Sequence, residues 1–249
     1  MLSTTTTTRT LLLTATMTAA LVGCEQSEPL TEEEATEVAQ AAAPLAREDG
    51  GETATAQLAV DTAVGDSWLV VDASGSWTGL LSAVDYVFDI DCFDGNGDEV
   101  ECSDETVRAE VMTDIEASLD LPRYDAYFLR DADWTLDALD TETPSVQGSA
   151  YTEIDSSFTA IYRDVERSWH LELNGDYDLE ATGVPDRFTG TITWDAFAER
   201  TRDTDDESLR STLDTEIELT YDGDGSPTML VDRTYTFDVD ASGEVTLVE

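Results

Sequence analysis

The fold class of this chain is decided by residues 168–182, SWHLELNGDYDLEAT. Apolar side chains occupy every second position through most of this stretch, and His, Glu or Asp stand between them. Because successive side chains of an extended strand point to opposite faces, a period of two predicts a long strand with one buried face and one wet face. The predicted buried face consists of Trp169, Leu171, Leu173, Tyr177, Leu179 and Ala181.

The same alternation recurs along the rest of the chain. It is found in residues 84–93, 188–197, 209–221 and 229–239. Residues 103–120 also alternate, but their apolar positions equally fit a helical stripe that follows a cap at Ser103. We favour a strand for this segment because predicted strands precede and follow it closely.

Turn residues separate the alternating segments. Gly and Asp cluster at residues 94–98 (DGNGD), 182–186 (TGVPD), 221–227 (YDGDGSP) and 240–243 (DASG). Such residues form tight hairpins, and short connections pair neighbouring strands antiparallel. The sequence therefore predicts an all-β domain over residues 56–249, built as an antiparallel meander of about nine to eleven strands in a strongly curved sheet. Because one apolar face per strand must be covered, we expect this sheet to be barrel-like or two-layered.

The N-terminus has the pattern of an export signal. Arg9 precedes residues 10–23, an uncharged run that is too short and too rich in Thr for a membrane-spanning helix, which needs about 20 apolar residues. The run ends in Leu21-Val22-Gly23-Cys24, which resembles the lipobox of bacterial lipoproteins: a Leu, one variable residue and a small residue before an obligatory Cys. The alternative is an ordinary signal peptide that ends in a cysteine by chance.

The resemblance to a lipobox implies a cellular location for the protein. Residues 1–23 would be a lipoprotein signal peptide, and cleavage would leave Cys24 acylated on its sulfur and its new amino group. Acyl chains on Cys24 would anchor the protein to a membrane. In the sorting rule of this family an Asp after the cysteine retains a protein at the inner membrane, and this chain has Glu25. We therefore expect a lipid-anchored protein of the cell envelope, at the periplasmic or surface face of the outer membrane.

Residues 24–55 are predicted to form a flexible acidic tether. Thr31 and Glu34 have the spacing of a capping box, and the alanine-rich stretch that follows predicts a short helix ending before Pro44. Few aromatic residues occur in this segment, so we expect it to hold the folded domain away from the membrane.

The chain carries a large excess of negative charge. It contains 56 Asp and Glu against 12 basic residues, all of them Arg, and its formal net charge is −44. Such a surface repels nucleic acid and anionic lipid, so we expect no nucleic-acid partner. Two interpretations remain: adaptation to a saline exterior, where salt screens the self-repulsion, or a chain kept soluble by its charge.

The two cysteines after Cys24 are Cys92 and Cys102. Since an exported chain meets an oxidising compartment, we expect them to form a disulfide.

The segment between these cysteines contains a candidate calcium loop. Asp94, Asn96 and Asp98 have the one-three-five spacing of such a loop, and Glu105 stands at the twelfth position. The sixth position, where the loop needs Gly, is Glu99. We therefore favour a disulfide-closed acidic hairpin, with weak calcium binding as the alternative and no other cofactor.

Signals of catalysis are few. His170 is the only histidine, it falls on the wet face of its strand, and the chain has no Lys. The chain also loosely resembles uncharacterised β-rich envelope lipoproteins of Gram-negative bacteria, a likeness that supplies no catalytic motif. We therefore predict a non-enzymatic, acylated envelope lipoprotein with a structural or interaction role at the outer membrane, where an envelope protein is the expected partner. The alternative is a lipocalin-like periplasmic carrier that holds a small apolar ligand inside the sheet.

Overall fold

The fold is seen in a computed structural model that describes residues 29–47, 51–65, 73–78, 82–159, 165–184, 187–204, 208–224 and 226–248. These residues contain two helices and twelve strands. The helices are α1 (Glu32–Ala46) and α2 (Glu52–Ala63). The strands are β1 (Ala73–Thr78), β2 (Ser82–Phe93), β3 (Glu99–Val100), β4 (Arg108–Leu121), β5 (Tyr124–Asp137), β6 (Ser145–Thr159), β7 (Glu166–Ala181), β8 (Phe188–Asp203), β9 (Ser208–Asp222), β10 (Thr228–Val231), β11 (Tyr235–Val239) and β12 (Val245–Leu247).

The strands form one antiparallel meander, as the alternation predicted. Eleven of them follow one another across the sheet in chain order, and the two-residue β3 pairs with β2 beside this path. The ambiguous segment at 103–120 contributes the strand β4, which confirms the favoured interpretation. β4 is paired along its whole length with β5 and from Arg108 to Leu119 with β2. A helix there would have left the facing edges of both neighbours without hydrogen-bond partners.

Among the described residues the sheet is open, because β1 and β12 stand at the two ends of its strand order. The expected closure into a barrel is therefore absent from this part of the chain, and so is a second sheet layer. The physical reason is that α1 and α2 cover much of the apolar face, which we call the inner face. The opposite face, the outer face, carries most of the charged side chains.

The described part of the predicted tether belongs to the folded body. The capping box at Thr31 and Glu34 is formed, and it starts α1. Ala35, Ala39 and Ala42 of α1 are completely buried against the core. Pro44 does not end the helix but lies inside its last turn. Alanine side chains are small enough to let a helix approach a sheet closely, so a stretch without large apolar residues can still bury a full face.

The inner face is filled with side chains. Strand β7 alternates as its sequence predicted, with Leu171, Leu173 and Leu179 each 1% exposed. Trp194 of β8 lies across Gly175 of β7, where a Cβ atom would stand 2.6 Å from the indole Cδ1. The largest fully buried side chains of the core come from both halves of the sheet, among them Trp194, Phe188, Phe237, Ile90 and Leu136. The space between sheet and helices is therefore packed by the protein's own residues.

Candidate functional site

Cys24, the residue predicted to be acylated, lies outside the described residues, as do residues 1–28 in general. The lipid anchor therefore stays a prediction. Neither α1 nor α2, the helices of the described part of the chain, is long and apolar enough to cross a membrane.

The disulfide is formed between Cys92 and Cys102, whose Cα atoms lie 5.3 Å apart. Cys92 is 1% exposed, and its sulfur lies 3.7 Å from the carbonyl oxygen of Ala63 at the end of α2. The pairing predicted from the cysteine count is therefore confirmed. It closes the β2–β3 hairpin at the end of the sheet where α2 terminates.

The predicted calcium ligands are only partly gathered. Asp94, Asn96 and Asp98 lie in one exposed turn, in which Asp94 Oδ1 accepts hydrogen bonds from the backbone amides of Asn96 at 2.8 Å and Asp98 at 3.0 Å. The hydrogen bond from Asp98 and then those from Asn96 lower the pKa of Asp94. Glu105 lies in a second turn, after the disulfide, where its backbone amide donates to Ser103 Oγ at 3.3 Å. Calcium binding at this hairpin stays a prediction.

A charged pair lies in the middle of the core. Arg130 projects from β5 onto the inner face and pairs with Glu52 at the start of α2. Its guanidinium also donates to Thr113 Oγ1 at 3.3 Å and lies 5.1 Å from the ring centroid of Trp134. Burial opposes the charge of Arg130, but the carboxylate of Glu52 outweighs it and keeps the pKa of Arg130 above its ordinary value. The sequence signal for this pair is an arginine at an apolar-face position of β5, but the alternation of apolar residues by itself does not predict a buried charge there.

Two tyrosine hydroxyls lie near this pair. Tyr177 OH and Tyr221 OH are buried and have no hydrogen-bond partner among the described residues. Burial, and then the negative charge of Glu52, raises the pKa of both phenols. This interior is therefore a structural ion pair surrounded by neutral aromatic groups.

His170 lies on the outer face, as predicted, and both of its ring nitrogens are occupied. Nδ1 is 2.8 Å from Asp155 Oδ1, and Nε2 is 3.0 Å from Glu172 Oε1. Partial burial lowers the pKa of His170, but the hydrogen bonds to the two carboxylates outweigh it, so the pKa is raised overall. Glu153, Asp155 and His170 are the one group of at least three His, Cys, Asp or Glu ligand atoms within 4.8 Å of one another in the described part of the chain. A divalent cation there would have to displace the proton that the two carboxylates hold on the imidazole.

The inner face extends beyond α1 at the end of the sheet opposite the disulfide. There one continuous row of paired residues crosses five strands, β5 to β9. The row consists of Tyr124, Phe158, Arg167, Arg202 and Leu209. The next row inward contributes Ser156, Trp169, Arg200 and Ser211. These residues line a groove of about 490 Å³, which we call the arginine groove.

The arginine groove borders the start of α1. Arg200 pairs with Glu37 of α1, and its guanidinium lies 5.2 Å from the ring centroid of Trp169. Thr31 and Glu34, which start the helix, line an adjoining cavity together with the same Trp169. The start of α1 is therefore next to the groove.

The groove differs in chemistry from the rest of the chain. Arg167, Arg200 and Arg202 line it from inner-face positions, and Arg210 borders it from the outer face, where it pairs with Glu199. No Asp or Glu is among the described residues that line the groove. In a chain with 56 acidic and 12 basic residues, a groove that is lined by arginines and by no carboxylate is unexpected. The sequence contained a signal, since Arg167, Arg202 and Leu209 all fall at inner-face positions, but only the register of five strands brings them into one row.

The geometry supports an interaction surface that combines positive charge with apolar area. Compared with protein-family models, with curated proteins and with solved structures, the chain has no match.

Proposed function

We propose that this protein is a non-enzymatic, acylated lipoprotein of the bacterial cell envelope, with a structural or interaction role at the outer membrane. The observation that carries the proposal is the lipobox-like pattern Leu21-Val22-Gly23-Cys24. Helix α1, which begins at Glu32 shortly after this pattern, packs into the core. Removal of residues 1–23 would therefore leave every described element in place.

The packed interior favours an interaction role over the carrier alternative. A carrier holds its ligand in a cavity of several hundred Å³ inside the sheet. Here α1, α2 and large side chains such as Trp194 and Phe237 occupy the inner face. The arginine groove, at the uncovered end of that face, is the surface on which we place the interaction.

The anchor is tested by expressing the chain in a Gram-negative host and measuring the N-terminal mass and the membrane fraction. We expect the purified protein to begin at Cys24 and to carry the added mass of acyl chains. Cys24→Ser should remove the added mass and release the protein from outer-membrane vesicles. The matched control is the double variant Cys92→Ser/Cys102→Ser, which retains Cys24 and should still be acylated. An unmodified N-terminus in the parent protein would refute the proposal.

A further inference from the structure

We propose that the arginine groove docks on the anionic surface of the membrane that holds the acyl anchor, with Arg167 and Arg202 binding phospholipid phosphates. This inference rests on the proposed function, because it assumes the anchor at Cys24. It adds an orientation: the end of the sheet at which Tyr124, Phe158 and Leu209 lie faces the lipid, and the disulfide end faces away.

Charge complementarity is the first argument. The net charge of −44 predicts repulsion from anionic lipid. Alternation along the strands separates the charges locally, however. Arg167 and Arg202 project from the inner face, whereas their chain neighbours Glu166 and Asp203 project from the outer face. Since salt screens charges beyond about 8 Å at physiological ionic strength, most of the acidic residues of the chain act only weakly on a lipid phosphate that contacts these arginines.

The second argument is that two of these arginines are available. Among the described residues, neither Arg167 nor Arg202 has a carboxylate within 4.0 Å, whereas Arg200 is paired with Glu37 and Arg210 with Glu199. Arg167 and Arg202 are directly paired positions on adjacent strands. Guanidinium groups bind phosphate oxygens through paired hydrogen bonds, which suits them to lipid head groups.

The third argument is exposed apolar area beside the charges. Tyr124, Phe158 and Leu209, in the same row as the two arginines, are 38%, 47% and 49% exposed. Aromatic side chains favour the interface between head groups and acyl chains, where an apolar ring and polar surroundings coexist. A row that combines arginines with exposed apolar side chains therefore suits both the head groups and the acyl chains of that interface.

The fourth argument is the length of chain between the groove and the anchor. Only six residues lie between Cys24 and Thr31, which lies beside the groove. Fully extended, the chain from Cys24 to Thr31 spans about 25 Å. An acylated Cys24 therefore keeps this end of the sheet near the head groups, so docking needs no long-range approach.

The experiment measures the polarity around a fluorophore at each end of the sheet while the protein is bound to vesicles. In the acylated protein Cys24 is blocked and Cys92 is paired with Cys102, so one introduced cysteine is the single free thiol. Leu209→Cys and Val184→Cys are each coupled to a polarity-sensitive fluorophore. Both parent residues are 49% exposed, and Val184 lies in the β7–β8 connection at the opposite end. The proteins are reconstituted into phosphatidylcholine vesicles with or without phosphatidylglycerol.

We expect the Leu209→Cys label to shift to shorter wavelength on phosphatidylglycerol vesicles, and the Val184→Cys label to stay in water. Arg167→Gln/Arg202→Gln should lower the ratio of docked to undocked molecules about 30-fold, because each arginine near an anionic surface contributes about a fivefold factor. The control Arg108→Gln, at the disulfide end of β4, should leave the shift unchanged. Circular dichroism checks that each variant is folded.

The outcomes that contradict the docking can be distinguished from the outcome that contradicts the anchor. Protein that does not sediment with vesicles lacks the anchor, which refutes the proposed function. Protein that sediments while the Leu209→Cys label stays in water refutes the docking alone. A label that is already shifted before vesicles are added places a second copy of the chain in the groove and also refutes the docking. An equal shift without phosphatidylglycerol refutes the role of the two arginines.

Discussion

The guanidinium of Arg130 in β5 is paired with the carboxylate of Glu52 in the first turn of α2, and their side chains are only 5% and 2% exposed. This pair joins the helical cover to the centre of the sheet. The guanidinium has further partners in Thr113 and in the face of Trp134. A buried charge is costly unless it is paired, so the position of α2 on the sheet is coupled to this contact.

Removing one partner of this pair should be strongly destabilising. Glu52→Gln leaves the guanidinium of Arg130 buried without a counter-charge, and we expect the free energy of unfolding to fall by about 3–5 kcal/mol. The double variant Glu52→Gln/Arg130→Met should recover much of this loss because no uncompensated charge remains. Urea unfolding followed by circular dichroism measures each value.

The control for this pair is an exposed one. Arg108 and Glu110 pair at 2.7 Å with side chains 45% and 52% exposed. Arg108→Gln should therefore change the free energy of unfolding by no more than about 1 kcal/mol. Equal losses for Glu52→Gln and Arg108→Gln would contradict the structural role assigned to the buried pair.

The packing of Trp194 over Gly175 predicts a position that accepts no side chain. A Cβ atom at residue 175 would stand 2.6 Å from Trp194 Cδ1 and 2.8 Å from its Nε1. Gly175→Ala should displace the indole and lower the free energy of unfolding by about 1–3 kcal/mol. Gly95→Ala is the matched control, because its Cβ would meet only Val107 Cγ2, at 3.8 Å. Thermal melts of the two variants should differ clearly, and coincident melts would contradict this packing.

Repulsion between carboxylates on the outer face predicts that salt stabilises the fold. Asp114 and Asp131 are directly paired across β4 and β5, and Glu153 and Glu172 across β6 and β7. Burial, followed by the charges of Asp114 and Asp133, raises the pKa of Asp131. A carboxyl whose pKa is raised in the folded state destabilises the fold when ionised, and this cost disappears as the pH falls through that pKa.

Asp131→Asn should therefore raise the free energy of unfolding at neutral pH, by about 0.5 kcal/mol at low salt. The gain should shrink as NaCl rises from about 0.1 M to about 2 M, because the ions screen the repulsion that the substitution removes. Asp140→Asn, in the β5–β6 connection, makes the same change of charge away from these pairs and serves as the control. A parent protein whose melting temperature does not rise with NaCl would exclude the saline interpretation of its charge.

His170 provides a pH-dependent test with a single reporter. Its hydrogen bonds to Asp155 and Glu172 outweigh its partial burial, so its pKa in the folded protein is raised above 6.5. The stabilisation of the protonated imidazole is therefore complete below the ordinary pKa of histidine and is lost as the pH rises through the raised value. Because the chain has one histidine, an NMR titration of its ring protons assigns the value without ambiguity.

The comparison variants for this titration lie on neighbouring strands. Asp155→Asn should lower the pKa of His170, because it removes the negative charge beside Nδ1. Asp176→Asn, farther along β7 on the same face, should leave it close to the parent value. A pKa at or below 6.5 in the parent protein would show that the two hydrogen bonds do not outweigh the burial.

The alternation of side chains in the sequence is sufficient to predict most of the sheet. Leu171, Leu173 and Leu179 are buried as their spacing predicted, and β4 is a strand because strands stand on both sides of it. The disulfide followed from the count of cysteines. These features could be predicted because side-chain direction in a strand and the pairing of cysteines depend on local geometry and on few partners.

Only the tertiary structure decided how the apolar face is covered and where the rare positive charges meet. Ala35 and Ala39 carry too little apolar surface for the sequence to predict that their helix is buried. Their burial depends on how closely α1 approaches the sheet. Arg167 and Arg202 are 35 residues apart in the sequence, and the register of β7 and β8 makes them neighbours. Periodicity in one dimension fixes the face on which a side chain lies, but contacts between distant segments depend on register and packing across the whole sheet.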